Sequence, residues 1–575
     1  MHPHNASSRP PERTSAAARG AHPWRPTVHF AQYYLDCLSQ ASYLIGDETT
    51  GRAVLVDPRR DIDDYLQDAA AAGLRIELVI ETHVHADFLS GHLELARATG
   101  ATIAFGEAAR TGFPIRRLRD GERIFLGEAG NGANGGTCGN GGEGNRDEGN
   151  RDEGGGGQQD GGARGGRRGG VTLTVLATPG HTLESLCLVV HENPDDPVPF
   201  GVLTGDTLFV GDVGRPDLLS AAGHSPHDMA VRLHHSLHTK LLTLPDATRV
   251  FPAHGAGSAC GRSLSTETSS TIGDQRRLNY ALQPMPVAEF VRLVTAGQPA
   301  TPGYFAHDAA LNRDGHPLLD AAEPPALTLE EALAARDQQG AVLLDCRPLA
   351  SYTRAHLKGS LHTSLDTRFA EYAGSVVAPG TPIVLLADPG KEREARLRLA
   401  RIGYDHVLGH LPDPAAVLDQ EPALVRRSHR VRPEELPQAW RELPVGAPDA
   451  DLTAASDTTT GTATGTATAM GTDPGWDTDT ATGPDTGGRF SRAQLVDVRN
   501  PAEYAAGALP GARSIPLATL PDRITELDPA RPVVLYCRSG NRSVIAAALL
   551  EARGFGDVCD VEGGYEAMAG SCDRT

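Results

Sequence analysis

Four apolar runs in this chain each end on a metal-binding type of side chain, and that repetition constrains the fold more than any other feature. Leu78-Val79-Ile80 leads into Thr82-His83-Val84-His85-Ala86-Asp87-Phe88, and Val171 to Ala177 leads into Thr178-Pro179-Gly180-His181-Thr182. Gly201-Val202-Leu203 ends in Thr204-Gly205-Asp206-Thr207, and Arg249-Val250-Phe251 ends in Pro252-Ala253-His254-Gly255. Runs of β-branched residues bounded by Gly or Pro read as strands that stop in short loops, so the histidines and carboxylates are expected at sheet edges. Two neutral imidazoles and one carboxylate with open coordination positions form the facial triad of non-haem Fe(II) sites that handle O₂. Hydrolysis at a three-ligand zinc site is the competing reading.

The same motifs, together with Gln40-Ala41-Ser42-Tyr43-Leu44-Ile45-Gly46, Val56-Asp57-Pro58-Arg59, Gly205-Asp206-Thr207-Leu208-Phe209, Gly214-Arg215-Pro216-Asp217 and Gly255-Ala256-Gly257-Ser258-Ala259-Cys260-Gly261, carry a resemblance. This part of the chain resembles the persulfide dioxygenase (sulfur dioxygenase) branch of the metallo-β-lactamase superfamily, a relative of glyoxalase II. Dinuclear hydrolases of that superfamily place a histidine directly after the aspartate of the His-x-His-x-Asp run. Here the position is Phe88, which ligates nothing. The resemblance implies an αββα sandwich and one Fe(II) per chain, in preference to zinc, held by His83, His181 and Asp206. It makes His85, Asp87, His254 and Asp57 remnants of a lost second site that orient ligands or substrate by hydrogen bonds. Arg215, Cys260 and Arg262 would then lie near the thiol-carrier end of the pocket.

A second chemical signal is Val533-Val534-Leu535-Tyr536-Cys537-Arg538-Ser539-Gly540-Asn541-Arg542-Ser543. An apolar strand runs into a cysteine, then a Gly-containing loop, then an Ala-rich helix. Loop N–H groups, the helix N-terminus, Arg538 and Arg542 all favour thiolate over thiol at Cys537. Cys187, in an apolar strand, suits the role of an inert core thiol better. Phosphatase-like loops hold one residue more between Cys and Arg and are wide enough for a tetrahedral oxyanion. The tighter ring resembles rhodanese (sulfurtransferase) domains, as do Leu495-Val496-Asp497-Val498-Arg499 upstream and Val561-Glu562-Gly563-Gly564-Tyr565 downstream. An earlier copy begins at Val342-Leu343-Leu344-Asp345-Cys346-Arg347, but its strand Ile383-Val384-Leu385-Leu386 leads into Ala387-Asp388-Pro389-Gly390. Without a thiol there, the middle copy cannot carry sulfur and is expected to act as a spacer or docking surface.

The organisation expected is therefore a tail over 1–27 and a metallo-β-lactamase-like domain over 28–290 with a low-complexity insert at 127–170. An inactive rhodanese-like domain at 325–445, a Thr/Ala/Gly/Asp-rich tether at 446–488 and an active rhodanese domain at 489–575 follow, both rhodanese domains being α/β with parallel sheets. The net charge of −20 partly resides in that tether, and no basic cluster suggests nucleic acid. No run is long enough to span a bilayer. The eight cysteines lack paired spacing, which favours a reducing cytoplasm. The function these readings imply is iron-dependent oxidation of a low-molecular-weight thiol persulfide by O₂ to sulfite and thiol. Sulfane-sulfur transfer through Cys537, forming or using thiosulfate, would be coupled to it. A glyoxalase II-like thioester hydrolase and a non-catalytic sulfur-relay scaffold are the alternatives. The oligomeric state is left open, a homo-oligomer included.

Overall fold

The computed structural model describes residues 28–127, 169–262, 264–441 and 490–572. The expected tail, almost all of the insert and the tether lie outside the described residues. Two sheets of six strands organise the N-terminal part. The first takes β1 (Val28–Leu35), β2 (Gln40–Asp47), β3 (Arg52–Val56), β4 (Arg75–Ile80), β5 (Thr102–Gly106) and β6 (Arg116–Leu118) in chain order, antiparallel to β3 and parallel from there on. The second runs through β7 (Arg123–Phe125), β8 (Thr172–Ala177), β9 (Leu186–His191), β10 (Gly201–Gly205), β11 (Arg249–Pro252) and β12 (Ser270–Thr271). Only β10 and β11 pair parallel there.

Side-chain alternation along these strands builds the layers. Tyr43, Ile45, Val54, Val56, Leu78 and Ile80 of the first sheet pack with Leu173, Val175, Leu186, Leu188, Val190 and Leu203 of the second as one buried core between the sheets. Their sequence neighbours face the other way. Leu44, Ala53, Leu55 and Val79 pack on Tyr65 and Ala69 of the helix Asp63–Ala71 and on Leu95 of the helix His92–Thr99. Cys187, Val189, Val202 and Val250 pack on the helices Pro226–Thr239 and Val287–Thr295. Each fully buried Val, Leu or Ile contributes about 1.5–3 kcal/mol relative to exposure. A one-residue slip would turn the whole apolar set of a strand to the wrong face. The αββα expectation is met, and the residue period of two fixes the register that brings the strand ends into line.

Segment 127–170 joins paired neighbours, as a hairpin connection would: Phe125 lies opposite Thr172, and the Gly127 amide donates to the Val171 carbonyl. Beyond the sandwich, the described residues of Met1–Cys346 and Thr363–Pro414 cluster as one compact unit, and Arg347–His362 with Ala415–Thr575 as another. The first unit contains a parallel set Val342–Asp345, Ile383–Leu386 and Val407–His410. The second has a five-stranded parallel sheet in the order Arg430–Val431, Val558–Val561, Val533–Tyr536, Gln494–Asp497, Arg513–Ser514. The first of those strands falls inside the span 325–445 expected for the inactive copy, and its residues pair with Asp560 and Val561 of the later sheet, held by a two-pronged ion pair from Arg430 to Asp560 at 2.9 Å on both arms.

Candidate metal centre and cysteine loop

The end of β4 and the loops after β8, β10 and β11 converge on one buried spot. His83, His181 and Asp206 each offer a ligand atom there, all within 4.8 Å of one another. His181 Nε2 lies 3.3 Å and His83 Nε2 3.8 Å from Asp206 Oδ2, while His254 Nε2 is 3.5 Å from Asp206 Oδ1. The sheets are tied together at this point by the Leu186 amide, which donates to the Thr82 carbonyl, and by the Ala41 amide, which donates to the Ala253 carbonyl.

Each imidazole spends its other nitrogen on a fixed partner. Thr82 Oγ1 donates to Asp57 Oδ2 at 2.9 Å, so its lone pair accepts from His83 Nδ1 at 3.0 Å. His181 Nδ1 donates to the Arg215 carbonyl at 2.9 Å and His254 Nδ1 to the Ser39 carbonyl at 3.2 Å. Those bonds fix the tautomer with the proton on Nδ1 and leave every Nε2 lone pair aimed inward. Burial, helped by the neighbouring His85, His181 and His254, holds His83 well below the usual imidazole range. Burial also lowers His181 against the pull of Asp206. Both side chains are thus neutral, as metal ligation requires. Both Asp206 oxygens and His254 Nε2 are buried with no hydrogen-bond partner. Orphaned acceptors of this kind, converging with two free imidazole lone pairs, fit a bound cation.

The other positions singled out from sequence fall into distinct places. Phe88 is 1% exposed, its ring 4.4 Å from that of His85. His85 Nε2 is 3.0 Å from Asp57 Oδ1 and 3.3 Å from Glu81 Oε2. Burial works against a charged His85, but the two carboxylates outweigh it and raise the imidazole well above its usual range. Asp87 lies 3.3 Å from His254 Nε2. Cys260 is buried within 4.8 Å of the Asp206 and His254 ligand atoms, and burial pushes its thiol well up. Arg215 is buried, its guanidinium committed to Asp217 and the Ala259 carbonyl. Arg262 points to the Leu293 and Ala296 carbonyls and lies over the Tyr280 ring.

Sequence reasoning missed several supports of the site. Glu81 binds His85, His92 and Ser90 at once. Asn312 donates to the His85 and Phe88 carbonyls at 2.9 and 2.8 Å and accepts from the Ser90 amide, and Tyr304 donates to the Asp87 carbonyl. Both lie past the expected boundary at 290, on or beside the helix Phe305–Asp314. Ser39 and Asp57 have left-handed backbones, with φ of 53° and 50°. Left-handed non-glycine residues cluster at functional sites; the Val56-Asp57-Pro58-Arg59 motif already marked Asp57, whereas no sequence signal marks Ser39.

In the C-terminal sheet Cys537 follows the strand Val533–Tyr536, and the Gly540 amide donates to its sulfur at 3.1 Å. Ser543 Oγ is 3.6 Å from the same sulfur and 3.3 Å from Asp560. The arginines differ from expectation in their pairing. The Arg538 side chain is 68% exposed and bound to Glu566, and Arg542 is bound to Glu503 at 2.7 and 2.8 Å. Burial opposes the Glu503 charge, but Arg542 outweighs it and holds the carboxyl low. In the middle copy, Ala387 is fully buried after the strand Ile383–Leu386, and Cys346 is buried and bonded to the Leu344 carbonyl. Cys187 is a core thiol, pushed up to about 11 by burial.

Comparison with known proteins bears on both centres. A family profile described as the metallo-beta-lactamase superfamily matches residues 35–254, and one described as the rhodanese-like domain matches 328–412 and 487–571. The crystal structure of a metallo-beta-lactamase from Staphylococcus aureus subsp. aureus COL is 30% identical with a TM-score of 0.54, covering 67% of this chain and 99% of that one. A "Beta-lactamase hydrolase-like protein" of Xylella fastidiosa (strain 9a5c) is 28% identical over 277 residues, 46% of this chain and 54% of the relative, so the chain spans about half of that protein's length. A "Sulfurtransferase" of Allochromatium vinosum is 47% identical over 75 residues, covering 13% of this chain and 70% of that protein.

Proposed function

For a chain that belongs to the metallo-β-lactamase superfamily and carries two rhodanese-like domains, we propose a persulfide dioxygenase fused to a sulfurtransferase. The observation that carries this reading is Phe88, buried against His85 where dinuclear hydrolases of the superfamily put a ligand for a second metal. One metal held by two imidazoles and a carboxylate suits O₂ chemistry better than two-metal hydrolysis. Ferrous iron held by His83, His181 and Asp206 would supply the one-electron chemistry that O₂ needs to react with sulfur. The reaction is thiol persulfide plus O₂ plus water giving thiol, sulfite and two protons. Thr82, the Arg215 carbonyl and the Ser39 carbonyl hold the three imidazoles in their tautomers, and Asp57 with Glu81 holds a proton at His85 Nε2.

In the C-terminal domain the Cys537 sulfur would carry a sulfane sulfur as a persulfide, cradled by the Gly540 amide. Attack of sulfite on the outer sulfur breaks the S–S bond, releases thiosulfate and returns the thiolate to the loop. The reverse direction consumes thiosulfate. Substrates of this kind are small, and a reducing compartment such as the cytoplasm suits the free thiols of Cys37, Cys187, Cys260 and Cys537. Among the described residues, no helix is long and apolar enough to cross a membrane. The test is metal analysis of anaerobically purified protein with O₂ uptake on a panel of low-molecular-weight persulfides. One iron per chain and persulfide-dependent O₂ uptake are expected. Two zinc ions with hydrolysis of S-lactoylglutathione and no O₂ uptake would replace this reading with thioester hydrolysis.

A further inference from the structure

The rhodanese-like copy that ends its strand on Ala387 has no sulfur to offer, yet it is wired to the loops that carry the metal-binding side chains. Arg401 is the central contact. Its carbonyl accepts from the Leu89 amide at 2.7 Å, one residue past Phe88, and its guanidinium grips Asp61 at 3.0 and 2.6 Å. Asp61 is also 3.6 Å from Arg59, in the loop that begins at Asp57. Burial works against charge on Asp61, but Arg401 and Arg59 outweigh it. From the other side Arg60, with a side chain that is 0% exposed, reaches the Ala400 carbonyl at 3.0 Å and Asp405 at 2.8 and 2.9 Å. Arg368 donates to the Gly257 carbonyl in the loop after His254. Gly374 of the helix Phe369–Val376 lies so close to the Tyr304 ring that a Cβ there would come within 2.4 Å of it, and Tyr304 holds the Asp87 carbonyl.

Each of these contacts ends within a few residues of a metal-binding or ligand-orienting group: Asp57, the His83 to Phe88 run, and His254. Arg60 is buried and Arg368 and Arg401 are half-buried, and arginines withdrawn this far from water and committed to two or more acceptors are held only where geometry is well satisfied. We infer that this silent rhodanese-like domain is a working part of the metal centre, with Arg368 and Arg401 as positioning residues that hold the ligand loops closed around the metal. Loss of sulfur-carrying chemistry in this copy is then compatible with its retention in the chain, because its task is mechanical. The inference rests on His83, His181 and Asp206 being metal ligands, and it is indifferent to which metal they hold.

The experiment uses the full chain, comparing wild type with Arg368→Met, Arg401→Met and the double variant. Release of whichever metal the wild-type protein holds is followed against excess chelator. Where that metal is iron, the nitrosyl adduct of the ferrous protein is examined by electron paramagnetic resonance. A denaturant melt reports that the sandwich and the domain that follows it are folded, and thiosulfate:cyanide transfer through Cys537 reports the same for the C-terminal part. Outer-shell partners of ligating side chains typically govern metal affinity by about 10–100-fold, so the double variant should release metal on the order of 10-fold faster, with a broadened nitrosyl signal and Cys537 transfer retained. Metal release and nitrosyl signal equal to wild type in a folded double variant would overturn the inference. Should the double variant lose Cys537 transfer as well, Arg368→Lys and Arg401→Lys carry the same comparison. Each keeps the charge and loses the planar fork, and wild-type release rates in both would overturn it equally. A wild-type chain that binds no metal would instead strike at the proposed function and leave these contacts as packing.

Discussion

Gly205 shows how little room the loops of the candidate metal centre have. Its φ is +50°, and a Cβ there would come within 2.7 Å of Thr82 Oγ1 and 2.8 Å of Thr82 Cβ, the residue that orients His83. Gly205→Ala should therefore destabilise the fold by about 1–3 kcal/mol through backbone strain alone and also loosen the metal, as denaturant melts and metal analysis would register. A stability and metal content equal to wild type would mean that the Thr82 contact is not structural. The two reactive centres should also be separable residue by residue. His181→Ala is expected to abolish persulfide-dependent O₂ uptake while thiosulfate:cyanide transfer survives. Cys537→Ser is expected to do the reverse, with sulfite accumulating in place of thiosulfate. Loss of O₂ uptake in Cys537→Ser would place that cysteine in the oxidation step.

Among the elements, the short strand Arg430–Val431 carries more than its length suggests. Arg430 is the partner of Asp560, a buried carboxylate that burial raises and the guanidinium pulls back down. Removing one partner of such a pair strands the other charge, which typically costs about 3–5 kcal/mol. Arg430→Met should therefore lower the unfolding midpoint of the C-terminal part, and Asp560→Asn in the same chain should recover much of the loss. If Arg430→Met melts like wild type, the strand is dispensable. The hairpin of β7 and β8 gives the opposite expectation. A Cβ on Gly127 would come within 2.2 Å of the Gly169 carbonyl, so the two ends of the segment between them already touch. Replacing 128–168 by a short Gly-Ser turn should leave metal content and O₂ uptake unchanged, since closure cost depends only weakly on loop length. Loss of metal on that replacement would assign the segment a role at the site.

For the molecule as a whole, the contacts through Asp61 make an acid-sensitive connection between the sandwich and the domain that follows it. Arg401 and Arg59 overcome the cost of burial and depress the Asp61 carboxyl in the folded chain. A depressed folded value means that the stabilisation is fully present above the unfolded value, about 3.9, and is lost as pH falls through the folded one. Asp61→Asn should thus be less stable than wild type at pH 7, and the gap should close as the pH is taken below about 4. A gap that is constant with pH would show that the carboxylate charge contributes nothing. The fold class and the placing of the histidines and carboxylates at strand ends were legible from the sequence, because alternation of apolar residues and Gly/Pro-bounded loops are local properties of the chain. The absence of a second-metal ligand at Phe88 and of a thiol at Ala387 was legible for the same reason, as each is a matter of residue identity at a motif position. The pairing of Arg538 with Glu566 and Arg542 with Glu503 was not, nor the reach of Asn312 and Tyr304 to the metal loops. Neither was the assignment of Arg430–Val431 to the later sheet, nor the grip of Arg401 on Asp61. Those depend on which distant groups meet, and sequence spacing carries no information about a contact between residues 61 and 401 until burial and hydrogen-bond satisfaction have chosen the packing. Local pattern determined what each segment can be, and only the tertiary structure decided which segments hold the ligands in place.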